Sequence, residues 1–249
     1  MKIYMFGTSH GVPSTERYCS AALLETGTRL YLIDAGAPVT DLMLRGGFNL
    51  NRLRAVFTTH IHGDHTNGLL HLCNLSNWHF INTSFDVYMT EQKGIDAFRN
   101  LIETLETRPL DAERIRFRLM TPETVYDDGF IRVTPIPTAH MFAAGPGHPS
   151  YAYKIECEGK TVLFSGDLSQ KLAKEDFPAA AMAEKIDVML CEMAHFSVED
   201  VTPYLEKFTG RALYFTHVYP VEKLEQIETL DGNFGYPVSI LHDGDVIEV

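Results

Sequence analysis

Thr58-Thr59-His60-Ile61-His62-Gly63-Asp64-His65 is the stretch that decides the fold. It follows the apolar run Leu53–Phe57, which predicts a buried strand. Three imidazoles and one carboxylate fall within the six residues 60–65. Imidazole nitrogen and carboxylate oxygen suit zinc or another borderline cation. His60 and His62 are two apart, so they cannot share a helix face, whereas an extended strand end would point both the same way. Gly63 would then permit a sharp bend that turns Asp64 and His65 elsewhere. One short loop offering ligands in two directions suits two adjacent metals. The competing reading is a solvated polar loop, and the density of ligand types at a strand-to-loop junction weighs against it.

The rest of the chain bounds that reading. Its 249 residues predict a single domain spanning 1–249. With 45% hydrophobic residues and a mean hydropathy near zero, the composition is that of a globular, soluble chain. No apolar run approaches the ~18 residues that span a bilayer. Met1–Phe6 reads as a short strand running into Gly7, without the apolar core and cleavage site of a signal peptide. Cys19, Cys73, Cys157 and Cys191 are scattered without C-x-x-C spacing, which predicts buried thiols in a reducing cytoplasm. A net charge of −12 argues against a large polyanionic partner. It leaves room for a small anion at a metal site, where the ion's own charge dominates.

Strands are expected at residues 2–6, Ser20–Glu25, Arg29–Ile33, Leu53–Phe57, Phe85–Met89, Ile131–Ile136, Tyr151–Glu156, Thr161–Ser165, Val188–Cys191 and Ala212–Phe215. Helices are expected at Pro38–Arg45, at Thr66–Leu75 with Leu69, Leu70, Leu72 and Cys73 inward, and at Gly94–Glu106 with Ile95, Phe98, Ile102 and Leu105 on one face. Glu158-Gly159 reads as a hairpin turn. Ser197 opens a helix through a capping box with Asp200, although Thr202-Pro203 offers a rival start. Pro237–Leu241 and Val246–Val249 read as a closing hairpin through Asp243-Gly244. No internal repeat shows in residue identity. Strands before helices in both halves predict two sheets with outer helices.

The H-x-H-x-D-H pattern resembles the signature of the metallo-β-lactamase superfamily. That resemblance implies an α/β (α+β) fold, a four-layer αββα sandwich of two mostly mixed sheets flanked by helices. The family adds a His, an Asp and a second His, each just after a later strand. Pro135-Ile136-Pro137-Thr138-Ala139-His140, Val162-Leu163-Phe164-Ser165-Gly166-Asp167 and Ala212-Leu213-Tyr214-Phe215-Thr216-His217 supply them. By resemblance, His60, His62 and His140 hold one divalent metal, Asp64, His65 and His217 hold a second, and Asp167 bridges the two. The metals implied are zinc, with manganese and iron as alternatives. His148, in a Gly/Pro loop, and His242, before a turn, are weaker competitors for ligation.

The stretches Gly7-Thr8-Ser9-His10-Gly11-Val12-Pro13, Arg17, Ser20-Ala21-Ala22-Leu23-Leu24 and Leu32-Ile33-Asp34-Ala35-Gly36 are similar to the tRNase Z and PhnP-like cyclic-phosphodiesterase branch. There Asp34 would be an acceptor that holds the histidine loop, against a plain strand-end turn. Glu192-Met193-Ala194-His195-Phe196-Ser197 resembles the element whose His protonates the leaving oxygen. Glu192 would orient and charge His195, although the branch separates this Glu and His by a longer insertion. The segment 75–134 offers none of the Gly-rich, basic arm with which tRNase Z holds tRNA. Together with the acidic charge this argues against tRNA and for a small-molecule anionic substrate. The implied reaction is hydrolysis of a small or cyclic phosphodiester by a hydroxide held at the metal pair, with Asp64 accepting its hydrogen bond. An acyl hydrolase (lactonase, glyoxalase II or β-lactamase type) uses the same ligands. A di-iron redox protein prefers a carboxylate where His62 stands. A non-catalytic binding role sits poorly with a full ligand set. Phe142, Tyr151, Tyr219 and Trp78 are candidates for the pocket or for core packing, and a homodimer is left open.

Overall fold

The computed structural model describes residues 1–12, 14–145 and 147–249, with position 106 as main chain only. Pro13, the last residue of the glycine-rich motif, lies outside them. The chain divides into two units, one of residues 1–7, 11–120 and 243–248, the other of 8–10, 121–242 and 249. The first unit holds β1 (Lys2–Gly7), β2 (Ala21–Thr26), β3 (Arg29–Ile33), α1 (Val39–Arg45), β4 (Leu53–Phe57), α2 (Gly63–Trp78), β5 (Phe85–Met89), α3 (Gln92–Glu106) and β6 (Ile115–Leu119). The second holds β7 (Tyr126–Asp127), β8 (Arg132–Thr138), β9 (Ser150–Cys157), β10 (Lys160–Phe164), α4 (Ala180–Ala183), β11 (Val188–Met193), α5 (Val198–Leu205), β12 (Leu213–Val218), α6 (Lys223–Glu228) and β13 (Val238–Ile240). The last strand, β14 (Val246–Glu248), returns to the first unit.

Each unit is built on a mixed sheet. In the first the order is β14-β1-β2-β3-β4-β5-β6. Pairing is antiparallel from β14 to β3 and parallel from β3 to β6. In the second the order is β13-β12-β11-β10-β9-β8-β7, antiparallel from β7 to β10 and parallel from β10 to β13. The inner parallel strands β3, β4, β5, β10 and β11 are largely apolar runs, as strands covered on both faces are, whereas the edge strand β6 alternates. In the first unit Leu30, Leu32, Leu53, Val56, Phe85 and Val87 pack with Val39 and Met43 of α1, Leu69, Leu72 and Cys73 of α2, and Ile95 and Ile102 of α3. In the second Leu163, Met189, Cys191, Leu213 and Phe215 pack with Val201 and Leu205 of α5 and Ile227 of α6. Burying each such side chain stabilises by about 1.5–3 kcal/mol relative to exposure.

Several local expectations hold for the stated reasons. Glu158 and Gly159 both take left-handed φ, 52° and 75°, as a tight hairpin turn requires. Ser197 accepts from the Asp200 main-chain N–H while Asp200 accepts from that of Ser197, a complete capping box, and Pro203 sits inside α5 rather than starting it. β8 tolerates Pro135 and Pro137 because β7 pairs only with Arg132 and Val133.

Others are corrected. The closing hairpin does not form: β13 joins β12 and β14 joins β1, each extending its own sheet. Gly244 N–H donates to Met5 O and Met5 N–H to Asp245 O, so Asp243-Gly244 is a link and not a two-strand turn. The helix expected from Thr66 begins at Gly63, and Asp64 and His65 lie in its first turn. Gly63 is thus a helix-opening residue, and the acidic Asp64 complements the positive end of the helix. His60 and His62 do not extend β4, which ends at Phe57; they lie in the bend that leads into α2. Leu105, expected on the inner face of α3, is exposed near the end of that helix. No helix among the described residues is long and apolar enough to cross a membrane.

Candidate metal centre

In open α/β sheets, ligands gather beyond the carboxyl ends of the parallel strands. In the first unit that edge carries Asp34, just after β3, and the His60–His65 segment, after β4. Asp34 is buried with φ 57°, a left-handed conformation that Asp adopts more readily than most residues. Its carboxylate accepts from Thr59 N–H at 2.7 Å, from the Thr59 hydroxyl at 3.0–3.1 Å, and from His65 Nδ1 at 2.7 Å. A carboxylate can only accept, so His65 carries its proton on Nδ1, and Nε2 is the nitrogen that faces Asp64 Oδ2 at 3.3 Å. The turn is docked onto α2 by Ala35 N–H to His65 O and Gly68 N–H to Ala35 O, both 2.8 Å. A Cβ at Gly36 would stand 2.3 Å from Asp64 O, so only glycine lets the two segments approach this closely. His60 Nε2 and His62 Nδ1 stand 2.9 Å apart. His60 and His65 are buried, and His62 is exposed.

In the second unit Asp167 follows β10, Glu192 lies in β11 and His217 lies near the end of β12. Asp167 is buried, and three imidazole nitrogens approach its Oδ2: His217 Nε2 at 3.3 Å, His140 Nε2 at 3.7 Å and His195 Nδ1 at 3.9 Å. His140 opens a short 3-10 turn just after β8, and its Nδ1 meets Leu168 O at 3.3 Å. His217 takes φ 54° and its N–H donates to Thr8 O at 3.0 Å. The main chain shifts register here, between the Glu192 and Met193 pairs of β11 with β12. Glu192 and His195, whose near-adjacency departed from the expected spacing, do meet: Oε1 lies 2.9 Å from His195 Nδ1. Glu192 also accepts from the N–H groups of Leu168, Ala194 and His195.

Two further residues hold these loops and were missed in the sequence. Asp176 accepts from Ala139 N–H at 2.9 Å and from Ser169 N–H at 2.8 Å, tying the residue before His140 to the loop after Asp167. Thr59, next to the first histidine, also has its hydroxyl 3.1 Å from His60 Nδ1. Asp176 sits in a run without periodicity, Lys171–Phe177, where only a fold shows its reach. Of the aromatic candidates, Tyr151 belongs to the core, while Phe142, Tyr219 and Trp78 are exposed. The indole of Trp78 donates to Asn74 on its own helix, and Tyr219 stacks on His10 with ring centres 3.9 Å apart.

A profile of the metallo-beta-lactamase superfamily matches residues 14–217. The chain belongs to this superfamily. Its members are metal-dependent hydrolases. Among curated relatives, a ribonuclease Z of Synechococcus sp. (strain CC9311) is 31% identical over 191 residues, 74% of this chain. The chain spans 58% of that relative's length. Among solved structures, the metallo-β-lactamase fold protein YhfI from Bacillus subtilis superposes with a TM-score of 0.75 at 20% identity, over 99% of both chains. A diphosphatase from the PhnP family superposes with a TM-score of 0.73 at 16% identity, over 100% of this chain and 96% of its own. These two likenesses show a shared fold.

The superfamily's metal chemistry fits the donors present. Nitrogen–oxygen distances of 3.3 Å, in both Asp64–His65 and Asp167–His217, are longer than ordinary hydrogen bonds. They match the edge of a coordination shell, since ligands ~2.0–2.2 Å from a tetrahedral cation stand ~3.3–3.6 Å from one another. The donors are imidazole and carboxylate throughout, and the four cysteines are buried, free thiols. Burial raises the thiol pKa of Cys73 and Cys191, with the Glu192 charge adding to it at Cys191, which makes both poor thiolate ligands.

Proposed function

We propose that this chain is a binuclear metal-dependent phosphodiesterase acting on a small or cyclic phosphodiester. In this reading both units work as one catalytic domain. His60, His62 and His140 would hold one cation, Asp64, His65 and His217 would hold the other, and Asp167 would serve both. When bound, the cations, zinc or alternatively manganese or iron, would polarise the phosphoryl group and acidify the attacking water. Asp64 would accept a hydrogen bond from that water. His65 is held in the ligating tautomer by Asp34.

The observation that carries the phosphodiester reading is the Glu192–His195 pair beside Asp167. Glu192 is buried and takes Nδ1 of His195, which assigns proton transfer to Nε2. The carboxylate also stabilises the imidazolium, so the ring is fit to protonate a departing alkoxide. An acyl substrate with a good leaving group has less need of such a donor. Support for a small substrate comes from the stretch between α2 and β8, which is taken up by β5, α3, β6 and β7. The net charge of −12 points the same way. The ribonuclease Z relatives set the alternative to be excluded, an RNA substrate. Free, buried cysteines suit a reducing compartment such as the cytoplasm.

His195→Ala tests the assignment. Turnover of a dialkyl or cyclic phosphodiester should fall by ~10²–10⁴, the usual worth of a general acid, while metal content by elemental analysis stays at the wild-type level. Full activity on a substrate with a poor leaving group would remove His195 from the mechanism.

A further inference from the structure

The turn that carries His195 is gripped from two sides. On one side Glu192 collects its N–H groups, those of Ala194 at 2.7 Å and His195 at 3.1 Å. On the other, the ammonium of Lys223 donates to three carbonyls of the same turn: Met193 O at 2.9 Å, Ala194 O at 3.1 Å and Phe196 O at 2.6 Å. The carbonyl between them, His195 O, accepts from Lys171 N–H at 2.9 Å. An ammonium has three N–H donors, and here all three find an acceptor. Successive carbonyls of a tight turn repel one another when aimed at one point, and a cation at that point turns repulsion into attraction. Lys223 opens α6, so the helix anchors the turn. Met193 and Phe196, which bracket it, are buried.

We propose that Lys223 is a positioning residue for His195: its ammonium gathers the Met193, Ala194 and Phe196 carbonyls and so fixes the imidazole on Glu192. This deepens the phosphodiesterase reading and, in its kinetic part, rests on it. A flexible turn would let His195 leave Glu192 and lose the orientation of Nε2. A compact ammonium suits three converging carbonyls better than a planar guanidinium does. Burial lowers the pKa of Lys223, while the carboxylates of Glu192 and Asp200 oppose that shift.

The test compares wild type, Lys223→Met and His195→Ala, each as the full chain with and without added zinc. Amide hydrogen exchange is read first, because it does not depend on turnover. In Lys223→Met the Ala194 and His195 amides should exchange at least about tenfold faster, as for a locally opened segment, with β9 amides unchanged. Lys223→Cys alkylated with 2-bromoethylamine restores an ammonium at similar reach and should restore protection; the native cysteines are buried, so the new sulfur is the one that reacts. In kinetics, Lys223→Met should lower kcat about tenfold or more on an alkyl phosphodiester. KM and turnover of a p-nitrophenyl ester should stay near wild type, and the variant should add nothing to His195→Ala. Unchanged exchange at Ala194 and His195 overturns the proposal whatever His195 does. So does an equal loss on both esters that adds to the His195→Ala loss, since that marks a general structural role. If His195→Ala keeps full activity, the acid assignment fails and the kinetic half of the inference with it, while exchange still decides whether Lys223 holds the turn.

Discussion

Replacing Asp34 by Asn changes one atom's chemistry and little else. Asn tolerates left-handed φ as Asp does, so the 57° backbone is not itself penalised. Asp34 now satisfies Thr59 through Oδ1 and His65 Nδ1 through Oδ2, both at 2.7 Å. With an amide, the oxygen serves Thr59 and the NH2 group faces His65. The ring must then accept at Nδ1 and carry its proton on Nε2, the nitrogen turned to Asp64 Oδ2. A protonated Nε2 has no lone pair to give a cation. Trading a charge-assisted hydrogen bond of ~1.5–3 kcal/mol for a neutral one of ~0.5–1.5 kcal/mol leaves a deficit of about 1–2 kcal/mol. That corresponds to roughly 5–30-fold in metal affinity, which overlaps the ~10–100-fold range for partners behind ligating histidines.

Zinc affinity is measured by competition with a chromophoric chelator at fixed pH and ionic strength, alongside the thermal midpoint of the metal-free protein. Two ions should titrate in the wild type. In Asp34→Asn the affinity of one should fall by the stated factor, while the metal-free midpoint drops by only ~2–8 °C. If both ions bind the folded variant within twofold of wild type, Asp34 does not set the tautomer of His65.

Asp176→Asn releases the clamp between Ala139 and Ser169, and metal affinity should fall about tenfold through looser placement of His140 and Asp167, by the same chelator titration. Tyr236 donates to Leu205 O, and burial, with the Cys191 charge adding to it, pushes its pKa up to about 12. A raised pKa contributes stability that is whole below about pH 10, the unfolded value, and is lost as pH rises towards 12, because the unfolded chain releases its proton first. Urea midpoints of the wild type should therefore fall over that window, and Tyr236→Phe should lower the neutral-pH stability by about 1 kcal/mol while flattening the alkaline fall.

Much of the fold was legible because parallel strands covered on both faces must be continuous apolar runs. Leu53–Phe57 and Phe85–Met89 were read to the residue, and the Ser197 capping box fixed the start of α5. What failed had a physical reason. Glycine permits a sharp bend, yet Gly63 opens a helix that brings Asp64 and His65 along. Val238–Ile240 and Val246–Glu248 flank a good turn signal, but each found a longer partner in β12 or β1. The candidate ligands could be picked out because their residue types recur at strand ends. Asp176 and Lys223 could not, since they act on main-chain groups distant in sequence and leave no local pattern.

Some of the chain's left-handed residues fall where the chemistry is expected. Asp34 after β3, Gly166 after β10 and His217 near the end of β12 all take left-handed φ, at 57°, 57° and 54°. Such a conformation costs a non-glycine residue ~1–3 kcal/mol. Asp34 and His217 must therefore be held there by their surroundings. Their main-chain N–H groups are tied at 2.8 Å to Phe57 O and at 3.0 Å to Thr8 O. At Gly166 the need for positive φ is met by residue type, which is why Ser165-Gly166-Asp167 delivers its carboxylate without strain. Asn adopts left-handed φ about as readily as Asp, so the substitution does not disturb the backbone at position 34. The affinity lost in Asp34→Asn should then report the tautomer alone, since the backbone is left as it was.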